Sequence, residues 1–143
     1  LLPALQAQAA ALGLGDRVLF AGHRTDVPSV LAALDVVCIS STYEGTPLAL
    51  FEAMAAGRAI VSTAVDGCRE VLEDGRTALL TPPRDPAALA RALLRVLGDD
   101  VLRRDLGAAA AAESQRYDIA ACVGQIEALY DEVLDERARG TAA

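Results

Sequence analysis

Two glutamates, Glu44 and Glu52, are the residues of this 143-residue chain whose type and spacing most suggest a binding chemistry. Carboxylates accept hydrogen bonds from hydroxyl groups, so a pair of them suits a sugar or a ribose. Between them, Gly45 lets the backbone approach a ligand closely, and a predicted helix start favours an anion such as phosphate. Two carboxylates beside an anion-binding helix start are compatible with one ligand that carries both a phosphate and hydroxyl groups. The spacing alone leaves open that Glu44 is a solvated loop residue and Glu52 a surface position on an amphipathic helix.

The helix that contains Glu52 is predicted from its capping residues. Thr46 and Pro47 form a pair suited to the N-cap and the first helical position, and Gly57 ends the helix after residue 56. The free N–H groups of its first turn, those of residues 48–50, are then directed toward the loop that holds Glu44.

Further polar residues follow other predicted strands. His23 and Arg24 come directly after Gly22, and the sequence allows them either to face a nucleobase or a diphosphate or to be a hydrated loop pair. Residues 66–70, with two carboxylates and a glycine, form another loop that is a candidate for ligand contact.

No metal site is predicted, because the chain has one histidine and three cysteines that form no Cys-x-x-Cys pair. The cysteines, Cys38, Cys68 and Cys122, are expected to be buried small residues. An odd number of widely spaced cysteines favours a reduced, cytoplasmic setting.

The composition excludes several other classes. The net charge of −7 argues against nucleic-acid binding, and the 53% hydrophobic content argues against disorder. No apolar run approaches the roughly 18 residues that span a bilayer. All 13 basic residues are arginine, so a mechanism that requires lysine must find it outside this chain. Because the first residue is leucine and no leader pattern follows, we expect the chain to be part of a larger protein.

Apolar strands alternate with helices along the sequence, which predicts an α/β fold with a Rossmann-like parallel sheet and helices on both faces. In such a sheet, ligands bind at the carboxyl ends of the strands, where the Glu44 loop would lie. We expect one domain over residues 1–137 and a frayed tail over 138–143. The predicted strands are residues 17–22, 35–40, 58–63 and 78–81. The predicted helices are residues 5–14, 27–34, 47–56, 68–73, 86–97 and 102–116, with a last one from 119.

The segment from Ser40 to Gly57 resembles the signature of the retaining nucleotide-sugar glycosyltransferases of family 4, also called group 1. The family pattern is a strand that ends in serine, then Glu-Gly-x-Pro, then Glu-Ala-Met-Ala-x-Gly. Here these elements are Ser40, residues 44–47 and residues 52–57. The order and spacing hold from about residue 12 to residue 134. The chain departs from the pattern at Arg58, where the family usually has proline.

The resemblance implies the GT-B architecture of two Rossmann-like halves, with this chain as the C-terminal, donor-binding half, incomplete at its N-terminus. It implies that the catalytic Glu44 hydrogen-bonds the donor sugar close to the reacting carbon, and that Glu52 accepts hydrogen bonds from the ribose. The remaining donor-binding residues that it implies are Gly22, His23, Arg24, Gly45, Thr46, Pro47 and Leu48.

The activity that the resemblance implies is transfer of a sugar from a nucleoside diphosphate sugar to an acceptor hydroxyl, with retained anomeric configuration and without metal or cofactor. The acceptor would be bound by a missing N-terminal half, so the isolated chain is expected to be inactive. The whole protein would be a bacterial, cytoplasmic enzyme, and peripheral membrane association is compatible with the family. Two alternatives stay open: a related sugar-nucleotide epimerase, which product analysis would distinguish, and a non-catalytic Rossmann-like binding module, which would tolerate the loss of both glutamates.

Overall fold

The centre of the fold is a parallel sheet of three strands, in the order β1-β2-β3. The computed structural model describes the backbone of residues 1–141 and the side chains of residues 1–137 and 139. In the sheet, Val36 pairs with Ala59 and Val61 pairs with Leu79. The predicted parallel α/β fold is therefore confirmed. The strands are β1 (Val36–Ile39), β2 (Ala59–Thr63) and β3 (Leu79–Thr81).

Aspartate side chains cap helices in the second half of the chain. The Asp85 carboxylate accepts a hydrogen bond of 2.8 Å from the N–H of Ala88, and Asp99 caps the next helix in the same way. Gly57, in the left-handed region with φ of +65°, follows the end of the third helix. The helices are α1 (Leu2–Ala11), α2 (Val27–Ala33), α3 (Leu48–Ala55), α4 (Asp66–Arg69), α5 (Pro86–Leu97), α6 (Asp100–Ser114) and α7 (Ile119–Thr141).

Both faces of the sheet are covered, and β2 shows this most clearly because all five of its residues are buried. Ile60 packs on one side against Leu50 and Met54 of α3. Ala59 and Val61 point to the other side, where Val96 of α5 lies. Successive side chains of a strand alternate between faces, so this apolar run requires helices on both sides.

The helix α6 contributes to both apolar clusters and approaches the backbone closely at one point. A Cβ built on Gly107 would lie 2.4 Å from the carbonyl oxygen of Gly57, so only glycine fits there without movement. The alanine run that follows Gly107 is helical, as the sequence predicts. This contact positions α6 against the turn that joins α3 to β2.

One predicted strand is absent from the structure. Residues 18–22 form no strand, and residues 15–17 form a short 3-10 helix. The side chain of Leu19 is 88% exposed, and Phe20 is also exposed. A strand needs a neighbour to satisfy its backbone groups, and within the described residues this segment pairs with neither edge of the sheet. The apolar run RVLFAG predicts a buried strand, but such a pattern does not identify the strand that must pair with it.

The two ends of the chain carry exposed helices. No residue of α1 is buried. The helix α7 carries a stripe of apolar residues between Ile119 and Leu134, and these side chains are exposed. The helix α7 extends to Thr141, beyond residue 137, after which the sequence predicts a frayed tail. Residues 142 and 143 of that predicted tail lie outside the described residues. Among the described helices, none is both long enough and apolar enough to cross a membrane.

Four charged side chains connect the turn before β3 to the end of α6. Arg76 pairs with Glu73 and, at 3.1 Å, with Glu113, which also pairs with Arg116. The hydrogen bonds from Arg76 and Arg116 hold the pKa of Glu113 below its usual value. This network fixes the β3 side of the sheet to α6.

We expect Gly107→Ala to destabilise the fold by about 2 kcal/mol, because its Cβ would collide with the backbone of Gly57. The matched control is Gly124→Ala in α7, where no atom lies within 4 Å of the new Cβ. That change should stabilise the chain by up to about 1 kcal/mol through helix propensity. Urea unfolding of both variants measures the difference. Equal effects of the two substitutions would contradict the packing of α6.

We expect the stabilisation contributed by Glu113 to depend on pH. Because the pKa of its carboxyl is lower in the folded chain than in the unfolded one, the contribution is complete well above the reference value of 4.5. It is lost as the pH falls through the folded pKa. Unfolding free energies of the wild type and Glu113→Gln should therefore differ at pH 7 and approach each other as the solution is acidified below 4.5. Glu127→Gln on α7 is the control, and a difference that grows on acidification would contradict the expectation.

Candidate functional site

The first sequence-predicted site residue, Glu44, is half-buried in the loop that follows β1. The hydroxyl of Ser41 donates a hydrogen bond of 2.8 Å to Oε1 of Glu44. The carboxylate is therefore held by its own loop rather than extended into solvent. Ser40, the serine that ends the strand in the family pattern, is exposed and lines a cavity of 160 Å³ together with Arg84. The missed signal is a hydroxyl three residues before the glutamate.

The loop of Glu44 is itself attached to the central strand. Thr63, the last residue of β2, is 4% exposed. Its Oγ1 donates a hydrogen bond of 2.6 Å to the carbonyl oxygen of Ser41 and lies 3.4 Å from that of Ile39. The hydroxyl thus fixes the backbone at the point where the β1–β2 ladder ends. Thr63 was not identified from the sequence, where it appeared only as the last residue of a strand.

The loops after β1 and β2 touch through two glycines. A Cβ on Gly67 would lie 1.1 Å from the carbonyl oxygen of Gly45 and 2.9 Å from the N–H nitrogen of Thr46. Gly67 is buried at the start of α4, so no other residue type fits without moving the Glu44 loop. The sequence offers Asp66, Gly67 and Glu70 as candidates for ligand contact. The structure shows Gly67 supporting the Glu44 loop, while Asp66 and Glu70 line an open depression of 310 Å³.

The start of α3 differs in detail from its prediction. The helix begins at Leu48, with Pro47 as its N-cap residue at φ −71° and ψ 127°, and no side chain caps it. The predicted capping role of Thr46 is therefore wrong, because the extended Pro47 shifts the helix start by one residue. The N–H of Leu50 donates to the carbonyl of Pro47 at 3.0 Å. Among the described residues, the N–H groups of Leu48 and Ala49 have no acceptor, so two donors remain rather than the three predicted.

The second glutamate, Glu52, is exposed on the second turn of α3. It lines a groove of 370 Å³ between α2 and α3, whose other walls include Val27, Pro28 and Leu31. It also borders a cavity of 310 Å³ on the opposite side, near Tyr117. No side-chain hydrogen bond to Glu52 occurs within the described part of the chain. Its carboxylate can therefore accept hydrogen bonds from a ligand at the mouth of an apolar groove.

The segment that contains Gly22, His23 and Arg24 is exposed. Arg24 pairs with Asp26, with 2.5 Å between Nη2 and Oδ2, and this contact holds the pKa of Asp26 below its usual value. No hydrogen bond in the described residues joins this segment to Glu44. The segment leads directly into α2, whose first residues line the groove of Glu52.

The cysteines differ from their prediction. Only Cys68 is buried, Cys122 is half-buried and Cys38 is exposed on β1. Cys38 lies on β1, an edge strand of the sheet, where its residue is exposed but its thiol is partly desolvated. Desolvation raises the pKa of the Cys38 thiol. Within the described part of the chain, no group of three His, Cys, Asp or Glu side chains could hold a metal ion.

Comparison with known proteins places this arrangement in a family. A family profile described as "Glycosyl transferases group 1" matches residues 2–99. The phosphatidyl-myo-inositol mannosyltransferase of Mycobacterium leprae is 38% identical over 131 residues, which cover 90% of this chain and 35% of that protein. The chain thus spans about a third of the length of this relative.

Solved structures agree with the sequence comparison. HepE of Anabaena, solved in complex with UDP-glucose, is 31% identical with a TM-score of 0.85, over 92% of this chain and 36% of that one. The C-terminal domain of a group 1 family protein from Francisella tularensis is 26% identical with a TM-score of 0.73, over 82% of this chain and 62% of that one. The chain belongs to the group 1 glycosyl transferases and corresponds to the C-terminal part of such a protein.

Proposed function

We propose that the chain is the donor-binding part of a retaining glycosyltransferase, which transfers a sugar from a nucleoside diphosphate sugar to an acceptor hydroxyl. The observation that carries the proposal is the half-buried carboxylate of Glu44, held by Ser41 beside the unpaired N–H groups at the start of α3. A hydroxyl acceptor and an anion-binding helix start lie next to each other in the same loop. A phosphorylated sugar presents the complementary groups.

The start of α3 would bind the phosphates of the donor. The N–H groups of Leu48 and Ala49 point out of the helix, and the dipole of the helix favours negative charge at this end. Gly45, which precedes the helix in an exposed loop, lets a phosphate approach the backbone. Thr46 and Pro47 complete this backbone cradle. Preorganised N–H groups of this kind stabilise the charge that develops on a departing diphosphate.

Glu44 would accept hydrogen bonds from hydroxyls of the donor sugar, close to the anomeric carbon. Its Oε1 is occupied by Ser41, and its Oε2 has no partner in the described part of the chain. During transfer, the bond from the anomeric carbon to the diphosphate oxygen breaks, and the acceptor oxygen forms the new bond on the same face. The acceptor proton leaves with the departing diphosphate. An anion near the sugar favours the positive charge that develops on the ring.

Glu52 would bind the ribose, and the groove next to it would take the nucleobase. The groove has apolar walls from α2 and α3, and Glu52 is its acidic residue. Arg58 also lines the groove, and its guanidinium donates to the carbonyls of Ala56 and Leu34. An apolar cleft with a few hydrogen-bonding groups at its edge suits a flat base joined to a sugar. Gly22, His23 and Arg24 lie just before α2 and are proposed to border this end of the donor. Arg24 would then leave its ion pair with Asp26 and bind a phosphate of the donor.

The proposal needs no metal or cofactor, since the helix start and arginine supply the positive charge. The acceptor would be bound by a part of the protein outside this chain, and the 143 residues alone are expected to transfer no sugar. We further propose that the whole enzyme works in the cytoplasm, peripherally associated with a membrane when its acceptor is there. The relative from Mycobacterium leprae is named as a transferase, which favours transfer over epimerisation or a non-catalytic role.

We expect the two glutamates to affect binding in different ways. NMR titrations of the chain give dissociation constants for three nucleotides, UDP, GDP and ADP. The same titrations with UDP-glucose, GDP-mannose and ADP-glucose give those of the corresponding sugar conjugates. Glu44→Ala should weaken the conjugate about tenfold and leave the nucleotide within about twofold, because it removes contacts to the sugar only. Glu52→Ala should weaken both about tenfold, because it removes contacts to the ribose.

The control for this experiment is Glu127→Ala, an exposed carboxylate on α7, which should change neither constant. No binding of any of the six compounds to the wild type would contradict the proposed function. The same conclusion would follow if neither glutamate variant altered any dissociation constant.

A further inference from the structure

We propose that Ser41 and Thr63 are positioning residues that orient the Glu44 carboxylate before a donor arrives. The inference rests on the proposed function of Glu44 as the residue that contacts the donor sugar. Ser41 would act directly on the carboxylate, and Thr63 would act through the backbone of Ser41. Neither side chain would touch the substrate.

The first observation is the direction of the Ser41 hydrogen bond. Its Oγ lies 2.8 Å from Oε1 of Glu44, and both residues are half-buried. A hydroxyl that donates to one carboxylate oxygen restricts rotation of the glutamate and leaves the other oxygen as an acceptor. Glu52 provides the contrast, because within the described residues no side chain hydrogen-bonds to it. Of the two glutamates, only Glu44 is oriented in the free chain.

The second observation is the anchoring of Ser41 by the core of the sheet. Thr63 is buried at the end of β2, and its Oγ1 donates to the Ser41 carbonyl at 2.6 Å. The β1–β2 ladder ends with Ile39 opposite Ser62, so no strand hydrogen bond fixes Ser41. The hydroxyl of Thr63 therefore supplies a hydrogen bond to the backbone just beyond the last pair of the ladder. It connects the rigid central strand to the loop of Glu44.

Of the neighbouring hydroxyl residues Ser41 and Thr42, Ser41 takes part in these hydrogen bonds and Thr42 does not. Thr42 is exposed and makes no side-chain hydrogen bond with any described residue, although it is the next residue after Ser41. A loop that needed only polar, solvated residues would not require the Thr63–Ser41–Glu44 sequence of bonds. Preorganisation explains it, because a glutamate already held in its binding rotamer loses less conformational entropy when the sugar arrives.

The test compares five variants of the chain: Ser41→Ala, Thr63→Val, Thr63→Ser, Glu44→Ala as the reference and Thr42→Ala as the matched control. One measurement is the ratio of the dissociation constants of UDP and UDP-glucose. The other, made without ligand, is the χ1 rotamer population of Glu44 from three-bond NMR couplings. Ser41→Ala should reduce the ratio about threefold, less than Glu44→Ala does, and should average the rotamers. Thr63→Val should do the same to a smaller extent, and Thr63→Ser, which keeps the hydroxyl, should restore wild-type values.

The outcomes separate this inference from the proposed function. If Glu44→Ala reduces the ratio while Ser41→Ala leaves both the ratio and the rotamers unchanged, the positioning role is wrong and the function of Glu44 stands. If Glu44→Ala leaves the ratio unchanged, or UDP-glucose does not bind, both proposals fail for this donor. A purely structural role of Ser41 would lower the melting temperature and weaken UDP and UDP-glucose equally, and that result would also overturn the inference. Thr42→Ala should match the wild type in both measurements.

Discussion

The contact between the backbones of Gly45 and Gly67 is the constraint on which the site depends. The loop after β1 and the loop after β2 meet so closely that a methyl group on Gly67 would overlap the carbonyl of Gly45. The hydrogen bond from Thr63 to Ser41 joins the same two loops a few residues earlier. Glu44 lies between these two attachments, so its position follows from the packing of the central strand. The candidate site is therefore an extension of the core rather than a free surface loop.

The fold was predictable from the sequence to the extent that local patterns determine it. Apolar strands and capped helices alternate, and a strand such as β2 with apolar residues on both faces requires a covered parallel sheet. The segment from residue 18 to residue 22 has the same pattern and forms no strand. Whether an apolar segment becomes a strand depends on a hydrogen-bonding partner, which periodicity does not report. The close contact between α6 and Gly57 likewise depends on tertiary packing, although Gly107 within the helix is a sign of it in the sequence.

In the candidate site, too, some features could be predicted from the sequence and others depend on tertiary contacts. Glu44 and Glu52 could be selected as candidates because they begin the Glu-Gly-x-Pro and Glu-Ala-Met-Ala-x-Gly segments of the family pattern, whereas their spacing alone is equally compatible with solvated residues. The partners of Glu44 could not, since Thr63 is 22 residues from Ser41 in the sequence and serine and threonine are common at strand ends. The helix start was misplaced by one residue because Thr46 is a good N-cap by type. The extended backbone of Pro47 takes that position instead.

The most direct test of the central claim is a residue-by-residue map of donor binding. In an amide-resolved NMR titration of the chain with UDP-glucose, the account predicts the largest shifts at residues 44–50 and at Gly67, with weaker shifts along the groove of Glu52. The exposed stripe of α7 and the outer face of α5 should show none. Shifts concentrated on α5, or around the cavity of Arg84, would contradict the account. So would saturable binding that leaves the amides of Gly45, Leu48 and Ala49 unchanged.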